Sequence, residues 1–283
     1  MAGVFLLALG MGGCVIREQQ SASKTAETEA LLDKLIRLPK KGFMFGHQDD
    51  PVYGIRWDGD ENRSDVKSVC GDYPAVMAFD LGRIERGGEK NLDDVLFERI
   101  RAEIIAHYNR GGVCSLSWHV DNPVTGEASW DVSDSTAVAS VLPGGENHGW
   151  LDRVADFMNS LVTKEGVKIP VIFRPWHEHT GSWFWWGQNL CSAEEYKSLW
   201  KMTYDYLQEK GVNHLLYAYS PGSEPDNVNE YLERYPGDGM VDLFGFDTYQ
   251  FEREKYVDTM EKSLTILTEV GRLHKKPVAV TET

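Results

Sequence analysis

The chain has 283 residues, 42% of them hydrophobic, with nine Trp and a formal net charge of −15. That is enough apolar material for a sizeable core, in one large domain or two small ones. The acidic excess argues against a nucleic-acid partner, whose phosphates need a basic face, and disfavours polyanionic sugars, while a neutral polysaccharide stays compatible.

At the N-terminus, Val4 to Leu9 form an apolar run too short to span a membrane, followed by Gly10-Met11-Gly12-Gly13-Cys14. This reads as a secretory leader over residues 1–14, with small residues before Cys14 as at a bacterial lipoprotein cleavage site. The expectation is an exported protein, periplasmic or at the cell surface, anchored through a lipidated Cys14, or otherwise secreted. Residues 15–30 are polar and read as a flexible tether to a single catalytic domain over 31–283. Cys70, Cys114 and Cys191 show no CxxC spacing, so no zinc site is suggested, and whether Cys70 pairs with Cys191 stays open.

Short apolar runs then alternate with helical patterns. Strands are predicted at 42–46, 75–81, 112–118, 168–174, 214–219, 241–246 and 277–281. Helices are predicted at 91–109, 150–164, 193–210 and 256–274, the last with Met260, Leu264, Leu267 and Val270 on one stripe. This alternation points to βαβ units and a parallel sheet. Polar residues follow the strand ends: His47 to Asp50, Asp80, His119 and Asp121, His177 and Glu178, Ser220, Asp247 and Tyr249, and Glu282. That is the pattern of an α/β fold of the (β/α)8 TIM-barrel type, whose chemistry sits at the C-terminal face. Neither GxGxxG nor GxxxxGK[ST] is present. The barrel reads as truncated after its seventh strand, leaving the first and seventh with open edges and the isolated chain prone to instability or aggregation.

The densest stretch is Phe173-Arg174-Pro175-Trp176-His177-Glu178-His179, followed by Gly181-Ser182-Trp183-Phe184-Trp185-Trp186-Gly187. Aromatic faces beside an acid suit a carbohydrate, whose C–H faces stack on rings and whose glycosidic bond needs a proton donor. Strand parity puts Ile172, Arg174, Trp176 and Glu178 on one face of the fourth strand. It likewise puts Val278, Val280 and Glu282 on one face of the seventh. Strands four and seven oppose each other in a barrel, so the two glutamates can face across its mouth. Retaining glycosidases hold such a pair about 5 to 5.5 Å apart. Glu178, beside large aromatics, is the expected acid/base, and Glu282 the expected nucleophile.

These motifs resemble those of glycoside hydrolase family 26, mainly β-mannanases of the clan with glutamates on strands four and seven. The resemblance runs from about Leu31 to Thr283. It is carried by Gly46-His47-Gln48-Asp49-Asp50, Tyr73-Pro74-Ala75-Val76, Asp80-Leu81-Gly82, Ser117-Trp118-His119, Arg174 to Glu178, Gly181 to Trp186, Asp247-Thr248-Tyr249 and Thr281-Glu282. It implies catalytic Glu178 and Glu282, with His119, His177 and Trp183 around the sugar at subsite −1. Tyr249 would hold the nucleophile, Arg174 would lie beneath the acids, and Trp130 and His47 are further substrate-binding candidates. His179-Thr180 stands where relatives carry Met-Asn. The implied reaction is retaining hydrolysis of internal β-1,4 bonds of mannan, galactomannan or glucomannan, without cofactor or metal; separately, a monomer is expected.

Alternatives are a mixed-linkage β-glucanase or β-1,3-xylanase of the same family, or a non-catalytic glycan-binding relative. A metallohydrolase using His177, His179, His47, His119 and Asp247 is a further rival, although a regular strand would turn both histidines of His177-x-His179 away from Glu178.

Overall fold

The computed structural model describes residues 23–143, 149–251 and 253–283; the predicted leader and Cys14 lie outside them. Helix α1, Ala26–Arg37, starts inside the segment read as a tether. Thr25 caps it, accepting from the Thr28 backbone, and Glu27 and Glu29 sit in the first turn, where the helix dipole favours acids.

Seven strands form one parallel sheet in chain order: β1 Gly46–Gln48, β2 Val76–Asp80, β3 Val113–Trp118, β4 Val171–Pro175, β5 Leu215–Tyr219, β6 Leu243–Asp247 and β7 Val278–Glu282. The sheet curls into most of an α/β barrel, as the alternation of strands and helices predicts. Among the described residues β1 and β7 each have one neighbour, so both keep an open edge. The first strand sits later than the predicted 42–46, its ladder with β2 beginning at Gly46, and Phe43 and Phe45 are exposed.

Strands β4, β5 and β6 are buried along their whole length, which is why they read as unbroken apolar runs rather than alternating ones. Two apolar clusters flank the sheet. The smaller gathers Val113, Ile172, Leu216, Ala218 and Leu243 inside the curl, where Leu31 and Leu35 of α1 cover them. The larger fills the layer between the sheet and the helices α3 (Phe97–Asn109), α5 (Trp150–Asn159), α6 (Ala193–Glu209) and α8 (Arg253–His274), with the short helices α2 (Asp65–Cys70), α4 (Ala137–Val141) and α7 (Val228–Leu232) interspersed along the chain. Helix α6 is the best specified: a Ser192–Glu195 capping box opens it, and Tyr196, Leu199, Trp200, Thr203 and Leu207 recur on its buried face. In α8 the stripe is rotated from the expected one. Ile266, Leu267 and Val270 are buried, whereas Leu264 is exposed in a groove with Tyr256, Val257 and Met260.

Candidate active site

The C-terminal strand ends converge on a cleft of about 600 Å³ lined by both Glu178 and Glu282. Neither glutamate arrives there by simple strand parity. After Pro175 the chain leaves the sheet through Trp176 and Glu178, both in the left-handed region with φ of 53°. For bulky residues that conformation is strained, and such strain collects where function fixes a side chain. The first turn throws Trp176 outward, where Nε1 donates to Thr203 of α6 and its ring packs with Trp118, Trp150, Trp185 and Trp186. The second brings Glu178 back to the cleft, with its backbone N–H donating to the Ser220 carbonyl at 2.8 Å.

On β7 the expected face is also wrong. Val278 lies over Gly271 of α8, and it is Ala279 that packs against the inner cluster. A register shift follows: Phe246 pairs with Val280 but Asp247 with Glu282. Such a bulge puts an extra residue into one strand and re-aims the side chain beyond it, here Glu282.

The environments of the two carboxylates differ. Glu178 is largely buried, and this desolvation raises its pKa, against a 2.6 Å hydrogen bond from Trp183 Nε1. The Trp183 ring lies against Gly181, where ring atoms would stand 2.3 Å from any Cβ, so only glycine lets the indole reach Glu178. Glu282 instead accepts from Arg174 Nη2 and from the Tyr249 hydroxyl. Arg174, 3% exposed, also donates from Nη1 to Asp247 at 2.7 Å and to Ser220 at 3.2 Å. Burial pushes Asp247 up to about 7, with Arg174 pulling the other way. Burial, then the nearby Glu178 charge, pushes Tyr249 up to about 12, which keeps it a neutral donor.

One wall is built on β2 and β3. Asp80 Oδ2 receives Ser117 Oγ at 2.6 Å and lies 2.7 Å from His119 Nδ1. Burial opposes its charge, yet His119, Ser117 and the Gly82 N–H bring Asp80 down to about 2. For His119 burial disfavours the cation, but the Asp80 carboxylate outweighs it and raises the imidazole. Trp130, 52% exposed, stacks on His119 at 5.3 Å.

Several sequence-predicted residues fall elsewhere. His177 is fully buried behind this wall, 3.1 Å from His119 Nε2 and against Phe184 and Trp186, so it supports His119 rather than lining the open cleft. Trp185 and Trp186 are core: their indoles donate to the Val120 and His177 carbonyls and anchor the loop that presents Trp183. His47 sits on edge strand β1 with Nδ1 against its neighbour's carbonyl, away from the cleft lining. His179 packs between Tyr196 and Tyr219, apart from His177, and the described residues contain no metal-ion grouping. Cys70 is exposed, Cys114 and Cys191 are buried, and all three are free. The cleft also takes in Phe184, Ser223, Glu224, Phe251 and Lys255, which the sequence reading missed. Phe184, Ser223, Glu224 and Phe251 lie on loops with no periodicity to mark them, and Lys255 sits in the first turn of α8.

An α/β barrel that brings two glutamates from separate strands to one aromatic cleft has the constellation glycoside hydrolysis requires. The chain belongs to Glycosyl hydrolase family 26, whose sequence profile matches residues 20–276. A mannan endo-1,4-beta-mannosidase from Bifidobacterium adolescentis is 39% identical over 274 residues, 91% of this chain and 27% of that protein. One from Bacillus subtilis is 29% identical over 203 residues, 65% of this chain and 52% of its length. The chain thus spans between about a quarter and a half of these relatives. Among solved structures, a GH26 beta-mannanase from Bacteroides ovatus is 64% identical with a TM-score of 0.90, over 92% of this chain and 77% of that one. An endo-beta-1,4-mannanase from Cellulomonas fimi is 36% identical with a TM-score of 0.84, over 92% and 60%.

Proposed function

We propose that the protein is a retaining endo-β-1,4-mannanase, with Glu178 as acid/base and Glu282 as nucleophile. The observation that carries this reading is the unlike setting of two glutamates in one cleft. Glu178 is desolvated, as a proton donor must be, and Glu282 is held between a guanidinium and a phenol. Glu282 attacks the anomeric carbon, the glycosidic C–O bond breaks, and Glu178 passes its proton to the departing oxygen. Glu178, now ionised, takes a proton from water. That water attacks the same carbon and releases Glu282. Trp130 and Trp183 supply partly exposed ring faces for the sugars, with His119 in the same wall behind Trp130. The polymer reaches the enzyme outside the cytoplasm, where a lipidated Cys14 would tether it to a membrane.

The test is product release from linear mannan, galactomannan and mixed-linkage β-glucan, with sizing of products and NMR of the anomeric configuration. Glu282→Ala and Glu178→Ala should each cost several orders of magnitude in turnover. Glutamate-dependent release of β-configured oligosaccharides from the mannans supports the proposal. Release from β-glucan alone overturns the substrate, and near-normal rates in either variant overturn the residue roles.

A further inference from the structure

A third carboxylate stands at the cleft that the double-displacement scheme does not use. Glu224 lies in the loop after β5 and is solvent-exposed among the cleft-lining residues. Its Oε2 accepts from Thr180 Oγ1 at 2.6 Å, and Thr180 is mostly buried, two residues beyond Glu178. The same threonine oxygen accepts from the Gly222 N–H at 3.0 Å, so the loop after β5 and the turn carrying the acid are tied together. Gly222 makes room for this: a Cβ there would stand 2.3 Å from Glu224 Oε2. Among the described residues Oε1 has no hydrogen-bond partner, so an ordered, exposed acceptor is presented in the cleft.

The acid/base by definition stands on the leaving-group side of the bond it protonates. Glu224 is fastened to the acid's own turn, whereas the nucleophile is fastened to Arg174 and Tyr249. Resting on the glycosidase reading above, we infer that Glu224 recognises the hydroxyls of the leaving-group sugar and sets the specificity of that side of the cleft. A pyranose arriving there offers hydroxyl donors, and a carboxylate fixed through one oxygen accepts from them with the other. The Glu224 charge also adds, after burial, to the rise of the Glu178 pKa.

The test compares wild type, Glu224→Ala and Thr180→Val on mannohexaose and on an aryl β-mannobioside, whose aglycone carries no sugar hydroxyl. A hydrogen bond to a charged group is worth about 1.5–3 kcal/mol, so Glu224→Ala should lower kcat/KM on mannohexaose by about ten- to a hundredfold. On the aryl substrate the change should stay within about threefold. Equal losses on both substrates, matched by Thr180→Val, would reduce Glu224 to a brace for the turn and overturn the inference. Calorimetry of mannohexaose with Glu282→Ala, alone and combined with Glu224→Ala, judges it independently of turnover. Weaker binding in the double variant supports it even if the wild type hydrolyses nothing and the mannanase reading fails. Unchanged affinity, or no binding to either variant, overturns it.

Discussion

Replacing Arg174 by Met probes the site at its electrostatic centre. The guanidinium is buried and serves Asp247 and Glu282 together, so Arg174→Met keeps side-chain length but leaves two carboxylates without their cation. Removing one partner of a buried pair costs about 3–5 kcal/mol, a large part of a total stability of about 5–15 kcal/mol. The cost must depend on pH. Asp247 already sits raised to about 7 with Arg174 present, and losing the cation can only raise it further. A carboxyl whose folded pKa is raised stabilises fully below its unfolded pKa and loses that contribution as pH rises through the folded pKa. At pH 5.5 the orphaned Asp247 is therefore protonated and neutral. At pH 8 the variant must either bury an unpaired charge or hold a proton at a cost of about 1.4 kcal/mol per pH unit. Urea unfolding of wild type and variant at both pH values should show the larger destabilisation at pH 8, by up to about 1.4 kcal/mol from Asp247, since the wild-type carboxyl gives up the same stability until pH passes its own pKa of about 7. Turnover of mannan should fall by at least about tenfold, since Glu282 loses a charge-assisted donor. An equal destabilisation at pH 5.5 and pH 8 would show that Arg174 acts by packing, and the electrostatic argument would fail.

Tyr249→Phe removes the neutral donor on Glu282 and should lower kcat by about ten- to a hundredfold with little change in KM; a pure KM effect would assign Tyr249 to sugar binding instead. Trp183→Phe keeps a ring but loses the N–H that holds the Glu178 pKa down, so the alkaline limb of the rate profile should move to higher pH. A shift to lower pH would contradict the hydrogen bond's sign. Asp49 is buried with Oδ1 unpartnered, and burial pushes it up to about 7. Asp49→Asn mimics its neutral form, so the variant should gain stability over wild type at pH 8 and lose that advantage near pH 5. A pH-independent difference in urea midpoints would refute this.

The strand and helix order was legible because the central strands are continuous apolar runs and α6 carries both a cap and a clean stripe. Glu178 and Glu282 were reachable from the sequence, but by a parity that the chain does not keep. Two left-handed residues and one bulge perform what regular alternation was expected to do, and nothing in residue order signals either. Trp185 and Trp186 turn into the core for a related reason. A run of aromatics beside an acid does not say which rings turn inward, and here only Trp183 of the three tryptophans stays partly open. Glu224 was missed because a lone loop carboxylate carries no signal until the fold sets it beside Thr180.

The two glutamates are mounted on supports of different firmness. Glu178 follows β4, the middle strand of seven, paired on both sides, while Glu282 rides on β7, which among the described residues pairs with β6. Local opening starts where backbone hydrogen bonds are few, and among the described residues β7 has fewer than β4. Side-chain tethers to Arg174 and Tyr249, and the Thr248 N–H on the Glu282 carbonyl, add to the hold on the end of β7. Heating should therefore silence the chain in two stages. Amide exchange across residues 278–282 quickens and turnover drops first, reversibly, while Trp176 and the indoles packed around it still report an intact core.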